Sequence, residues 1–302
     1  MRALVSGSTG FSGKVLLAAL RARGIEVFAV SQRADAPGVQ RIDLTSSAAW
    51  AQVLRAVRPD HVFHLSGVMH APDLSSFVTH NTAAAAALLD AVATEKLALA
   101  SLLFVGTAAE YGLVPESALP VAESFSASPR SPYGVSKFAQ TQLALDAGRR
   151  GLRVIVARPS NLIGPGMPLS TALGSFARQI RNIELGLRAP VLQVGDLSTS
   201  RDFIDVRDAV EAYVSLATEG DFAGVVNVSS GELVTMRAML DELIAQFGIP
   251  VSVEVDSARL RAAEVQKFSA SPERLREAVG TRSWIALADS LRDVVAHERQ
   301  TV

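Results

Sequence analysis

Along this 302-residue chain the hydrophobic positions switch between two spacings. Compact apolar runs at 3–6, 25–30, 61–65, 101–106 and 152–157 are bounded by Gly, Pro or polar residues and predict buried strands. Between them, apolar residues recur at helical spacing. Helices are predicted at 11–23, ending before Gly24, and from a Ser46 or Ser47 cap to about 57, where Pro59 stops the helix. Two more are predicted at 80–96 and 132–150. This alternation predicts an α/β fold, a doubly wound parallel sheet with helices on both faces. Past Arg158-Pro159 the rhythm changes. Helices at 170–188, 206–218 and 235–247, with strands at 224–228 and 251–255, predict a smaller mixed α/β lobe. The expected division is 1–160 and 161–302, with some elements of the second part returning to the main sheet.

Composition narrows the chemistry. The chain is 49% hydrophobic and 20% charged, with a formal net charge of -1. It has ample apolar residues for a large core. No long basic run appears, so nucleic acid and anionic membranes are not expected partners. There is no cysteine, which excludes disulfides, thiolate metal sites and thiol catalysis. No apolar run reaches 18 residues and the N-terminus turns glycine-rich at once, so a soluble cytoplasmic protein is expected. No cluster has metal-ligand spacing, so no metal is expected. His64 is expected to be a satisfied core or sheet-edge residue and His61 a surface residue at a strand start. His70, after Gly67, is a candidate substrate contact, and Trp50 and Trp284 are expected to serve packing.

Two motifs carry chemistry. The turn Gly7-Ser-Thr-Gly10-Phe-Ser-Gly13 joins the first predicted strand to the first predicted helix. Glycines let a backbone approach a pyrophosphate, and a helix N-terminus offers free N–H donors and a positive dipole end. In that position the trio predicts a Rossmann-type dinucleotide domain over 1–160, with Gly7, Thr9, Gly10, Phe11, Ser12 and Gly13 as candidate contacts. The second strand ends Val30-Ser-Gln-Arg33, with no carboxylate for a ribose 2′-hydroxyl. Ser31 and Arg33 suit a 2′-phosphate, so NADP(H) is favoured and NAD(H) stays open. Tyr133 and Lys137, four apart, share one helix face. An ammonium beside a phenol favours the phenolate, so the Tyr133 pKa is expected to be lowered, tuning it for proton transfer.

With these motifs the chain resembles the extended short-chain dehydrogenase/reductase family, in its nucleotide-sugar branch, over nearly its whole length. Besides the glycine turn and Tyr133/Lys137, the matching stretches are Asp43-Leu44, Leu65-Ser-Gly67, Asn81 and Val105-Gly-Thr-Ala-Ala-Glu-Tyr-Gly112. They continue with Arg158-Pro-Ser-Asn161, Gly164-Pro-Gly166, Arg201-Asp-Phe-Ile-Asp205 and Asn227-Val-Ser-Ser-Gly231. The resemblance implies NAD(P) on the sheet and a nucleoside-diphosphate sugar in the C-terminal lobe. By position it implies that Asp43 and Leu44 touch the adenine and that Leu65, Ser66 and Gly67 run along the cofactor. Thr107, beside Ala108, takes the place of the active-site Ser or Thr and would bond the sugar oxygen that Tyr133 protonates. Asn161 and Arg201 would hold the substrate diphosphate, with Arg178 a further substrate contact. Asn81 and Arg158 are left as structural or contacting. A homodimer built on the helices around 81–96 and 132–150 is also implied.

The same resemblance narrows the branch. The acidic residue that 4,6-dehydratases carry two places after the Ser/Thr is Ala109 here. Glu110, one residue on, is expected to point the other way from a strand end. The cysteine of the bifunctional epimerase-reductases is absent. Plain reduction of the C4 ketone of a nucleoside-diphosphate 4-keto-6-deoxy sugar is implied, GDP-4-dehydro-6-deoxy-D-mannose giving GDP-D-rhamnose. Arg261 and Glu264, in the stretch 256–264, fall where such reductases contact the nucleotide. Two other readings stay open: a nucleotide-sugar 4-epimerase with tightly held NAD, and a non-catalytic NADP-sensing regulator.

Overall fold

The computed structural model describes residues 1–33, 36–260 and 265–301. The early apolar runs form strands β1 (Arg2–Ser6), β2 (Glu26–Ser31), β3 (Val39–Arg41), β4 (His61–His64), β5 (Ser101–Val105) and β6 (Val154–Pro159). Then come β7 (Asn161–Ile163), β8 (Val191–Val194), β9 (Ser200–Arg201), β10 (Phe203–Asp205) and β11 (Gly224–Val228). The main sheet runs β11-β6-β5-β4-β1-β2-β3, and every pairing in it is parallel. The strand order reverses between β1 and β4, which opens a crevice at their carboxyl ends.

Both faces of this sheet are covered, which is why its strands read as unbroken apolar runs. The helices are α1 (Phe11–Ala22), α2 (Ser47–Val57), α3 (Leu74–Phe77), α4 (Ala84–Glu95), α5 (Pro132–Arg149), α6 (Ala172–Glu184) and α7 (Val206–Thr218). Those that follow are α8 (Met236–Phe247), α9 (Glu273–Val279) and α10 (Leu287–Gln300). On β1, Ala3 and Val5 pack with Leu16 and Leu20 of α1 and Tyr213 and Leu216 of α7. Leu4, between them, packs the other way with Trp50 and Leu54 of α2 and Leu88 of α4. A third core joins α6, α8 and α10 through Phe176, Leu240 and Leu291. No described helix is long and apolar enough to cross a membrane.

The caps follow the local chemistry. Ser46 accepts from the Ala49 amide at 3.2 Å and starts α2, while Ser131 accepts from the Gly134 amide at 3.0 Å ahead of Pro132 in α5. Several boundaries move. The helix expected from 80 begins at Leu74, because the Asp73 carboxylate accepts from the Ser76 amide at 2.7 Å. It then winds as a π-helix over Val78–Ala83, which the apolar period alone does not signal. The strand expected at 152–157 is Val154–Pro159, and the helix expected at 170–188 is Ala172–Glu184. His61 is buried and bonds Ser101 Oγ at 2.9 Å, so it is not a surface residue.

Candidate active site

Gly7 closes β1 at φ +70°, a left-handed conformation that favours glycine. A Cβ there would lie 2.7 Å from the Leu65 carbonyl carbon and the Ser66 nitrogen. The turn can therefore close onto the end of β4 only without a side chain. A Cβ on Gly13 would come within 2.1 Å of the Gly7 oxygen, so α1 also packs tightly against the turn. Gly10 is the N-cap of α1 and no side chain caps the helix. The first-turn amides of Phe11, Ser12 and Gly13 have no intrahelical acceptor. A dipole end in a glycine cradle fits a diphosphate.

Around this cradle, Thr9 Oγ1 lies 3.3 Å from Ser31 Oγ, and the Arg33 amide donates to Ser31 Oγ at 3.2 Å. The Arg33 side chain is exposed beside it. Asp43 lines a shallow depression with Gln32, Arg41 and Ile42. Bonds from Thr45 hold the Asp43 carboxyl below its ordinary pKa. Leu44 packs into the α2 face of the core instead, its carbonyl accepting from Trp50 Nε1 at 2.9 Å. After β4, Leu65 is partly buried, Ser66 buried and Gly67 exposed. A Cβ on Gly67 would stand 2.8 Å from Asn81 Oδ1 and 3.8 Å from Lys137 Nζ, so this segment runs beside the lysine. Asn81, buried in the π-helical turn, bonds the Val68 amide at 2.7 Å, the Val68 carbonyl at 3.1 Å and Ser136 Oγ at 2.9 Å. Ser136 Oγ donates to the Tyr133 carbonyl at 2.8 Å. Asn81 thus pins the segment after β4 to the helix that bears the tyrosine.

Thr107 follows the end of β5 and opens a single 3₁₀ turn, Ala108–Glu110, with its Oγ1 accepting from the Ala109 amide at 3.2 Å. Ala108 packs with Tyr111 and Val121. Tyr133 sits in the first turn of α5, close enough to the Thr107 side chain for that hydroxyl to favour the ionised phenol. Burial pushes the Tyr133 pKa up to about 12, against the Thr107 bond, and the Glu110 charge adds to the rise. The expected lowering by Lys137 is therefore corrected: burial outweighs any help from the ammonium. Lys137 is itself buried, which pulls its pKa down to about 8 against the opposing Glu110 charge. Its Nζ donates to Gln140 Oε1 at 2.6 Å.

Glu110 does not extend a strand. The strand has ended, and the carboxylate folds back beneath Thr107, accepting from its amide at 3.0 Å and pairing with Arg158 at 2.9 Å. Both side chains are buried, which gives Arg158 a structural role. Nor is His64 fully satisfied: Nδ1 lies 2.9 Å from Ser6 Oγ, but the buried Nε2 has no partner among the described residues. Burial, then the Lys137 charge, push its pKa down to about 3.

On the lobe side, Asn161 is exposed at the start of β7, its Nδ2 donating to the Asp202 carbonyl at 2.9 Å. Arg201 is half-buried, with Nη1 donating to the Ser200 and Gln266 carbonyls at 3.0 and 3.2 Å. The intervening Asp202 is buried and accepts from the Ser230 and Gly231 amides at 3.0 Å each. This fastens the turn after β11 beneath the two candidate phosphate contacts. Arg178 is engaged elsewhere, by Glu298 of α10 at 2.7 Å, in an ion pair that ties two helices of the lobe. His70 is exposed. Arg261 and Glu264 lie outside the described residues. Sequence reasoning missed Gln140, although its place three residues after Lys137 puts it on the same helix face.

Residues 3–229 match the model of the NAD dependent epimerase/dehydratase family. The chain belongs to that family. It is 35% identical to GDP-6-deoxy-D-mannose reductase of Pseudomonas aeruginosa over 98% of this chain and 96% of that protein. It is also 32% identical to dTDP-6-deoxy-L-talose 4-dehydrogenase (NAD(P)(+)) of Kitasatospora kifunensis, over 83% of this chain and 81% of that one. Its fold matches the structure of RMD from Pseudomonas aeruginosa complexed with NADPH, at TM-score 0.88 and 34% identity, over 100% of this chain and 99% of the other.

Proposed function

We propose that this protein is an NAD(P)H-dependent reductase of the C4 ketone of a nucleoside-diphosphate 4-keto-6-deoxy sugar. The substrate read here is GDP-4-dehydro-6-deoxy-D-mannose, giving GDP-D-rhamnose. The observation that supports the reading most is a buried phenol within reach of the Thr107 side chain, on the same helix as a buried lysine whose Nζ borders the Gly67 segment, at the crevice of the glycine turn. The reductase from Pseudomonas aeruginosa supports the choice of sugar. Residues 1–160 would hold the cofactor and 161–302 the sugar nucleotide.

When bound, NAD(P)H supplies a hydride to the carbonyl carbon. Tyr133 gives its proton to the carbonyl oxygen, and Thr107 donates a hydrogen bond to the same oxygen. Lys137 stabilises the phenolate that forms. The phenol's high pKa suits an acid that must keep its proton until the ketone takes it. The amides of Phe11, Ser12 and Gly13 would meet the cofactor diphosphate. Ser31 and Arg33 would meet a 2′-phosphate, which favours NADP(H) over NAD(H); the NADPH complex of the relative supports that choice. Asn161 and Arg201 would hold the substrate diphosphate.

A homodimer is part of the reading. Val135 and Leu143 on α5, with Leu74 and Val78 on the helical run packed against it, are large exposed apolar side chains. We place the reaction in the cytoplasm, alongside its nucleotide substrates. Incubation with GDP-4-keto-6-deoxymannose and NADPH, with identification of the product, tests the function. GDP-rhamnose formed with one NADPH consumed per sugar supports it. Turnover of a nucleotide sugar without added reductant, by protein already carrying NAD⁺, would instead establish the 4-epimerase.

A further inference from the structure

Glu110 is fully buried, yet no step of the proposed reaction uses it. Its two oxygens face different ways. Oε1 accepts from the Thr107 amide at 3.0 Å. Oε2 accepts from Arg158 Nε at 3.0 Å and Nη2 at 2.9 Å, a two-pronged pair. The Arg158 guanidinium lies 4.8 Å from the centroid of the Tyr111 ring, and the Tyr111 hydroxyl donates to Asn227 Oδ1 at 2.7 Å. The carboxylate that holds Thr107 is thereby anchored to the ends of β6 and β11.

The groups that face Glu110 come from three elements. They are Arg158 on β6, Tyr133, Lys137 and Thr141 on α5, and Thr107 in its own turn. His64, on β4, faces Lys137. Burial raises the Glu110 carboxyl, and Arg158 opposes the rise. A guanidinium does not give up its proton, and its two nitrogens on Oε2 favour the carboxylate form of Glu110 against the cost of burial. In a site this dry a fixed charge acts strongly on its neighbours, and Glu110 raises the pKa of both Tyr133 and Lys137.

We propose that Glu110, locked by Arg158, is a positioning residue of the acid: it fixes Thr107 against Tyr133 and, as the carboxylate, sets a negative charge facing Lys137. The catalytic consequence rests on the reductase reading, but the charge is measurable without substrate. The chain has four lysines, Lys14, Lys96, Lys137 and Lys267, so carbon-13 labelled lysine gives a spectrum simple enough to titrate. The Lys137 signal is the one lost in Lys137→Arg.

In the wild type Lys137 should titrate near pH 8. In Glu110→Gln its midpoint should fall by about half a pH unit or more. The basic limb of kcat should move down with it, and kcat should drop about tenfold with KM and NADPH affinity held. Glu110→Asp keeps the charge and the ion pair but withdraws from the Thr107 amide. It should leave the Lys137 midpoint in place and still lower kcat. Unchanged Lys137 midpoints in wild type and Glu110→Gln would overturn the proposal, as would full kcat in Glu110→Asp. If Glu110→Gln fails to fold, Glu110→Asp decides on its own. If the wild type reduces no 4-keto sugar, the reductase reading falls, and the lysine titration still decides the role of the charge.

Discussion

Lys137 Nζ donates to Gln140 Oε1 at 2.6 Å, and Gln140 Nε2 donates in turn to the Val105 carbonyl at 3.2 Å. The lysine is thus tethered to the end of β5, the strand that delivers Thr107. Its charge is held within the dry interior, on the helix that carries the phenol. The result is a site with its proton stored on Tyr133 and its positive charge waiting nearby.

That charge has a pH window. Burial brings the Lys137 pKa down to about 8. Below that value the ammonium is present to stabilise the phenolate, and above it the charge is lost. The profile of kcat/KM, which reports the free enzyme, should therefore fall above about pH 8. Stability should show the opposite slope. Between about 8 and the ordinary 10.5, the unfolded chain holds a proton that the native chain has released. Wild type should gain stability over Lys137→Met across that window, by up to about 1.4 kcal/mol per pH unit. Urea unfolding at both ends of the window checks this, and parallel stabilities would contradict it.

Thr107→Val removes the hydroxyl and keeps the shape of the side chain. The turn retains the bond between the Thr107 amide and Glu110, so folding should survive. Turnover of the keto sugar should drop by roughly 10²–10³ in kcat, the scale for losing one donor to a developing oxyanion. Equal kcat in steady-state assays would remove Thr107 from the chemistry.

Arg33→Ala tests the cofactor. A charged hydrogen bond to a 2′-phosphate is worth about 1.5–3 kcal/mol, so the Kd for NADPH should rise by roughly ten- to hundredfold. Affinity for NADH, which lacks the phosphate, should stay within a factor of about two. Fluorescence titration with both nucleotides reads this directly, and equal losses would place Arg33 outside the ribose pocket.

His64 makes the fold acid-sensitive. Burial first, then the Lys137 charge, lower its pKa from 6.5 to about 3. Between those values the unfolded chain binds a proton that the native chain refuses, so stability falls as pH falls. The slope from this one group is up to about 1.4 kcal/mol per pH unit. His64→Gln should lose that slope, and its stability gap from wild type should shift by about 1.6 kcal/mol between pH 6.5 and 5 in urea unfolding. Identical slopes would show that His64 is not held neutral.

What was readable beforehand was local. The Gly7–Gly10–Gly13 trio announces a turn because adjacent peptides must pass where a Cβ would collide. Ser46 announces a helix start because its cap is made within three residues. What was not readable depends on partners far along the chain. Glu110 meets Arg158 across 48 positions, and only the folded sheet decides that a carboxylate one place beyond Ala109 turns inward. Leu44 enters the core because the Trp50 ring fixes its carbonyl, a contact that spacing alone does not reveal. The sign of the Tyr133 shift was missed for the same reason. Position predicts which charge is near, but burial, a property of the whole fold, outweighs it. The π-helical turn that aims Asn81 at Val68 and Ser136 likewise breaks the period on which sequence reading relies.

The most direct test is a single turnover of GDP-4-keto-6-deoxymannose with NADPH, wild type against Tyr133→Phe, followed by NADPH absorbance. Removing the phenolic proton should slow the chemical step by roughly 10²–10⁴, with NADPH binding and thermal melting unchanged. A Tyr133→Phe protein that consumes NADPH at the wild-type rate would contradict the account.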